Sequence, residues 1–101
     1  MAIHSLGKPT DFPEGELRAV EVDDEALVVC QVGGRFFCFE DRCTHDDGPL
    51  SGGWLDGCEV ECPRHGARFD VRTGRALCMP AVAPMATFPV LVQGDELKVE
   101  L

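Results

Sequence analysis

Basic charge is scarce in this sequence: nine Lys and Arg stand against eighteen Asp and Glu, a formal charge of -9. A protein that grips nucleic acid needs a basic face for the phosphates, so that class is excluded, as is binding to an anionic membrane surface. Long apolar runs are missing too. No stretch approaches the roughly 20 residues of a membrane helix, and residues 1–10 hold no apolar signal core. The expectation is a cytoplasmic, soluble protein. In that compartment six cysteines read as ligands or small buried hydrophobes before they read as a disulfide framework. Helix-period apolar spacing is absent, as are repeats, linkers and low-complexity segments. A chain of 101 residues is one domain by size, with a thin core that a metal centre tying distant loops together would help to hold.

Strand patterns fill the flanks. Glu25–Val32 (EALVVCQV) and Arg35–Glu40 (RFFCFE) are rich in Val, Phe and Cys and are split by Gly33-Gly34, a two-residue hairpin signal. Thr87–Gln93 and Glu96–Leu101 repeat the arrangement around Gly94-Asp95. Glu16–Val22 alternates and reads as a further strand, as does the AIHSL segment carrying His4. One short helical turn is expected at Lys8–Phe12. The predicted fold class is all-β.

Residues 41–86 differ, being punctuated by Gly and Pro, with room only for short strands at Glu59–Glu61, Arg68–Val71 and Arg75–Leu77. The single domain 1–101 then divides into base strands at about 1–40 and 87–101 and a loop-rich lobe at about 41–86. A lobe so poor in apolar residues needs something else to hold it.

That lobe contains Cys43-x-His45 and Cys62-x-x-His65, sixteen residues apart. Thiolate and imidazole are good ligands for both zinc and iron. Zinc sites usually group like with like, in C-x2-4-C and H-x3-5-H pairs. Here each turn offers one Cys and one His, which suits a two-iron cluster with Cys43 and Cys62 on one iron and His45 and His65 on the other. A structural zinc module remains the alternative reading.

The segments CTHDDGPLSGG and ECPRHGARFDVRTGRA resemble the two cluster-binding boxes of Rieske-type ferredoxins, and MPAVAPMATFPV resembles the proline loop that shields the cluster in that family. The likeness covers nearly the whole chain. It implies an antiparallel β-sandwich or barrel base with an inserted cluster lobe, and one [2Fe-2S] cluster on Cys43, His45, Cys62 and His65. It also implies a one-electron carrier, not an enzyme, of the kind found in bacterial aromatic-ring dioxygenase systems. Such a carrier would act as a monomer, taking electrons from a flavin-dependent reductase and passing them to a terminal non-haem iron oxygenase. Docking would be transient and electrostatic, near His45 and His65. Service in cluster assembly or redox sensing is the alternative within the family. An oxygenase in its own right needs a second iron site with two histidines, and only His4 would be left.

Departures from the respiratory branch of the family are informative. Its loop-bridging disulfide would fall at Gly48 and Arg64, and the Ser and Tyr that donate to cluster sulfur would fall at Ala67 and Phe69. Loss of those donors predicts a potential near the bottom of the Rieske range, on the order of -150 mV.

The remaining residues have plainer readings. Cys30 and Cys38 should lie opposite Phe37 and Val29 across the hairpin, too offset for a disulfide, and Cys58 and Cys78 have no assigned role. Trp54 should pack beneath the loops, and Asp46-Asp47 is either a solvated turn or a docking rim. Arg64 could pair with a nearby acid, and Gly66 should allow close backbone approach to sulfur.

Overall fold

The computed structural model describes residues 2–101. It is almost wholly β, with eleven antiparallel strands and one 3-10 turn at Pro9–Asp11. In chain order the strands are β1 (Ile3–Gly7), β2 (Leu17–Val22), β3 (Glu25–Val32), β4 (Arg35–Glu40), β5 (Trp54–Asp56), β6 (Glu59–Glu61), β7 (Arg68–Asp70), β8 (Ala76–Cys78), β9 (Thr87–Phe88), β10 (Val90–Gln93) and β11 (Glu96–Glu100). They form three sheets, ordered β1-β11-β10, β2-β3-β4-β9 and β5-β6-β7-β8.

The β2-β3-β4-β9 sheet lies in the middle and is packed on both faces. Val28, Cys30 and Phe39 point one way, into a core shared with Val60, Phe69 and Val71 of the β5–β8 region. Leu27, Val29 and Cys38 point the other way, onto Leu97 and Val99 of β11 and onto Phe12. This explains the unbroken run ALVVC in β3: a strand covered on both sides has no polar face to alternate with. Strand β11 (ELKVE), central in its own sheet, has one covered face and alternates, with Leu97 and Val99 buried between partly exposed charges.

Turn chemistry fixes the register. Gly33 and Gly34 both have positive φ (61° and 80°), as a type I′ hairpin requires. The Glu14 carboxylate accepts both of their N–H groups, at 2.7 and 3.1 Å. Cys30 pairs with Phe37 and Cys38 with Val29, the expected offset.

Three expectations need correction. The strand expected at Thr87–Gln93 is two strands: β9 pairs with β4, β10 pairs with β11, and Pro89, which has no N–H to give a ladder, stands at the crossing. A strand at Trp54–Asp56 was not anticipated; it is three residues long and pairs with β6. Trp54 does not pack beneath the loops. It lies opposite Glu61 and is 50 % exposed.

No helix among the described residues is long and apolar enough to cross a membrane.

Candidate metal centre

Two loops carry the four residues singled out in the sequence, and their backbones close alike. In the first, Cys43 N–H donates to Gly48 O at 2.7 Å and Asp47 N–H donates to Cys43 O at 2.8 Å. In the second, Cys62 N–H donates to Ala67 O at 2.8 Å and Gly66 N–H to Cys62 O at 3.2 Å. Each loop needs a left-handed residue four places after its cysteine: Asp47 at φ 62° and Gly66 at φ 74°. Gly66 is therefore explained by its φ. A Cβ built there would meet no protein atom within 4 Å, so it is the left-handed backbone that favours glycine. The backbone amides of His45 and Asp46 face the Cys43 thiol and favour its ionised form.

The side chains sort by element. Cys43 and Cys62 are 0 % and 1 % exposed and belong to the core cluster under the loops. Burial pushes the Cys43 thiol up, the two amide donors pull it down, and the neighbouring Cys62 thiol raises it again. His45 and His65 are exposed, their ring centroids 5.2 Å apart and their planes at 62°. The two sulfurs lie within 4.8 Å of each other, as do a nitrogen from each imidazole. Two ligands on one tetrahedral metal at bonds of about 2.3 Å are separated by just under 4 Å, so each pair could serve one metal. Sulfur thus sits inside and nitrogen outside, the segregation a two-iron core with unlike ends requires.

Surrounding contacts hold the loops. Thr44 Oγ1 donates to Ala83 O at 2.7 Å, tying the first loop to the proline loop. Ala81 and Met85 of that loop are buried, and Met85 N–H donates to Gly74 O at 2.8 Å. Leu50 is fully buried, and Ser51 N–H donates to the Asp41 carboxylate at 2.7 Å. Gly53 lies so close to Glu61 O that a Cβ would collide with it. The proline loop was expected as a cover; the supports from Leu50, Ser51 and Gly53 were not identified, and their only signal was the Gly52-Gly53 pair. Asp46 is bound by Arg64, which holds its carboxyl well below the usual range, and Asp47 is bound by Arg42 at 2.7 Å. Both acids are thus ion-paired, with the Asp47 side chain still exposed.

His4 lies on β1, half-buried, with Nε2 3.3 Å from Asp23 Oδ2. All six cysteines are free. Cys30 and Cys38 face opposite sides of the middle sheet, Cys58 packs at the margin of the upper core, and exposed Cys78 points its sulfur at Gly66 O, 3.6 Å away.

The family description of the Rieske [2Fe-2S] domain matches residues 3–89. The chain belongs to the Rieske family. It is 43 % identical over 101 residues to the ferredoxin component of biphenyl 2,3-dioxygenase from Rhodococcus jostii (strain RHA1), covering all of this chain and 94 % of that protein. Its fold is similar to the ferredoxin of carbazole 1,9a-dioxygenase from Nocardioides aromaticivorans IC177, with a TM-score of 0.93, 30 % identity and coverage of 98 % and 97 %. It is also similar to a chain in a complex of reduced oxygenase and oxidized ferredoxin in carbazole 1,9a-dioxygenase, with a TM-score of 0.90, 38 % identity and coverage of 96 % and 91 %. A Rieske domain implies one [2Fe-2S] cluster, and the buried sulfur pair below an exposed nitrogen pair fits that group.

Proposed function

We propose that Cys43 and Cys62 hold one iron of the cluster and His45 and His65 the other, and that the chain is a one-electron carrier between a flavin-dependent reductase and a terminal non-haem iron oxygenase. Residues 41–86 form the cluster lobe, and residues 1–40 and 87–101 the base of the same single domain. The observation that carries this reading is the layering of the four side chains, thiols in the core and imidazoles in solvent. When bound, the cluster takes up one electron, and neutral imidazoles favour its residence on the iron they hold. The chain's own residues then do three things. The buried thiols anchor the group in the core. The imidazoles present their outer nitrogens to a partner, which shortens the transfer path. The proline loop covers the flank.

The relatives support the redox partners proposed here: they are named as ferredoxin components of dioxygenase systems, and one solved relative is in complex with an oxygenase. The chain acts as a monomer in the cytoplasm and docks transiently through the face around His45 and His65. Exposed Met79 (73 %) and Val82 (78 %) of the proline loop are sequence neighbours of Cys78 and Ala83, which touch Gly66 and Thr44 of the two loops. Its potential lies at the low end for the class, on the order of -150 mV. Ala67 and Phe69 are buried without hydroxyls, and the Thr44 hydroxyl is committed to Ala83 O, so neither box gives the sulfurs an O–H donor at these positions.

The test is direct. Purified protein is expected to be coloured, to carry two irons per chain, and to be reduced by a flavin reductase and reoxidised by a Rieske oxygenase. His65→Cys should lower the midpoint potential. A colourless, fully metallated protein, or a midpoint unchanged by His65→Cys, overturns the reading.

A further inference from the structure

We infer that Asp46, Gly48 and Arg64 form an ionic clip that locks the two cluster loops together and keeps the Asp46 carboxylate off the metal, with the Arg64 charge tuning the potential. This rests on the ligand assignment proposed above.

The clip is built from both loops. Arg64 Nε lies 2.7 Å from Asp46 Oδ2, and Nη2 lies 3.1 Å from Oδ1. Nη1 donates to Pro49 O at 3.0 Å, so all three guanidinium nitrogens are spent on the opposite loop. A planar fork meeting both carboxylate oxygens fixes orientation as well as distance, which a lysine ammonium does not. Asp46 is pre-set for it, since Oδ1 also accepts Gly48 N–H at 3.0 Å. Gly48 supplies the space: a Cβ there would fall 2.6 Å from both Nε and Nη2 of Arg64. Gly48 is not among the positive-φ residues, so the guanidinium, not the backbone, is what requires glycine.

Position gives the clip its consequence. Asp46 follows His45 and Arg64 precedes His65, so the bond between them fixes the spacing of the imidazoles. The Asp46 carboxylate lies within 4.8 Å of the sulfur pair and also of the nitrogen pair. Among the described residues it is the one further group placed to compete as an oxygen ligand, and Arg64 occupies both its oxygens. Arg64 stands two residues after Cys62 and directly before His65, and its ion pair holds its guanidinium beside both loops. A fixed positive charge there favours the reduced, more negative state. The Asp46 charge opposes it.

Mechanical and electrostatic roles therefore predict different patterns. The experiment uses the reconstituted holoprotein of wild type, Arg64→Gln, Asp46→Asn and the double variant. It records bleaching of the visible bands in excess chelator, at low and high salt, and the midpoint potential. Each single change should speed bleaching on the order of tenfold, and the double should bleach no faster than the worse single, because the two residues act as one unit. High salt should speed bleaching of wild type and leave the double unchanged. Arg64→Gln should lower the midpoint and Asp46→Asn should raise it. Gly48→Ala should bleach like Arg64→Gln while shifting the potential less, since the displaced guanidinium keeps its charge. If Arg64→Gln takes up no iron, Arg64→Lys carries the comparison: faster bleaching with a midpoint near wild type. Wild-type bleaching rates in both single variants, or additive effects in the double, overturn the clip; midpoints that shift in the same direction overturn the tuning. A wild-type protein that binds no iron would instead overturn the ligand assignment.

Discussion

The two faces of the β2-β3-β4-β9 sheet are closed by different means. On the lower face Leu27, Val29 and Cys38 meet Phe12, Leu97 and Val99, and side chains alone complete the core. On the upper face Val28, Cys30 and Phe39 meet a region whose strands are three residues long, and whose core includes Cys43 and Cys62 themselves. Charge divides the same way. Residues 41–86 hold seven acidic and five basic side chains, and four of the five arginines are paired with carboxylates. The flanks hold eleven acidic and four basic, so most of the -9 belongs to them. The lower half is an ordinary apolar closure with the surplus charge on its outside. The upper half is nearly charge-balanced and uses Cys43 and Cys62, the proposed metal ligands, as part of its packing.

If that contrast is correct, removing the metal should damage one half only. Cys62→Ser is expected to abolish the visible bands altogether, the largest effect of any change considered. Amide exchange should then quicken in β5–β8, while β3, β4 and β11 keep their protection. Equal loss of protection in all three sheets would mean that the two faces are one cooperative unit and the contrast fails.

The converse experiment strikes the lower face. Leu97 is fully buried against Val29 and Cys38, and Leu97→Ala should cost about 2–5 kcal/mol in urea unfolding. The midpoint potential should stay at the wild-type value, since none of the four proposed ligands belongs to that core. A shifted midpoint would show the lower face positioning the ligands.

The same contrast explains what the sequence showed. Strands β3 and β4 and the β10–β11 turn were legible because long apolar runs and paired turn residues dictate them locally. The four candidate ligands were legible because Cys and His at such spacing are rarely accidental. Hidden were features set by contacts distant in sequence. Pro89 reads as part of one strand until two sheets compete for its neighbours. Trp54 reads as core until its three-residue strand is seen at the end of a sheet, where half of it meets solvent. Arg64 suggested only some acid nearby; that the acid is Asp46, and that Gly48 makes room for the pair, needs the second loop folded beside the first.

Cys30 and Cys38 give a third test, because they report the two faces separately by the same chemistry. Burial pushes both thiols up to about 12, each with a smaller contribution from a neighbouring thiol. The unfolded thiol ionises near 8.5–9, so between that pH and 12 the folded chain holds protons that the unfolded chain has lost. The stability they contribute is complete below about pH 9 and declines as pH rises toward 12. The slope is about 1.4 kcal/mol per pH unit for each thiol. Cys38→Ala should remove about half of that alkaline slope, because its titrating thiol is gone, and Cys30→Ala the other half. Urea midpoints collected between pH 8 and 11 check both. A slope unchanged in either variant would place the responsible ionisation elsewhere.

The smallest effect concerns docking, where the charge contrast matters. Around His45 and His65 the acids are already bound to arginines, so an incoming protein meets little free charge there and two exposed apolar side chains, Met79 and Val82. The unbalanced carboxylates lie on the flanks, Asp24, Glu25 and Glu100 among them. At physiological salt, exposed charges act over only about 8 Å, so flank carboxylates orient an approaching partner without binding it. Val82→Ser should therefore raise the concentration that half-saturates the oxygenase by about fivefold, with little dependence on salt. Glu25→Gln should change it by less than about twofold, and only at low ionic strength. If the order is reversed, with the flank variant dominating and the effect vanishing in salt, contact would be made through the acidic base. The layering of thiols below imidazoles would then have to pass its electron by a longer route than the exposed ring nitrogens provide.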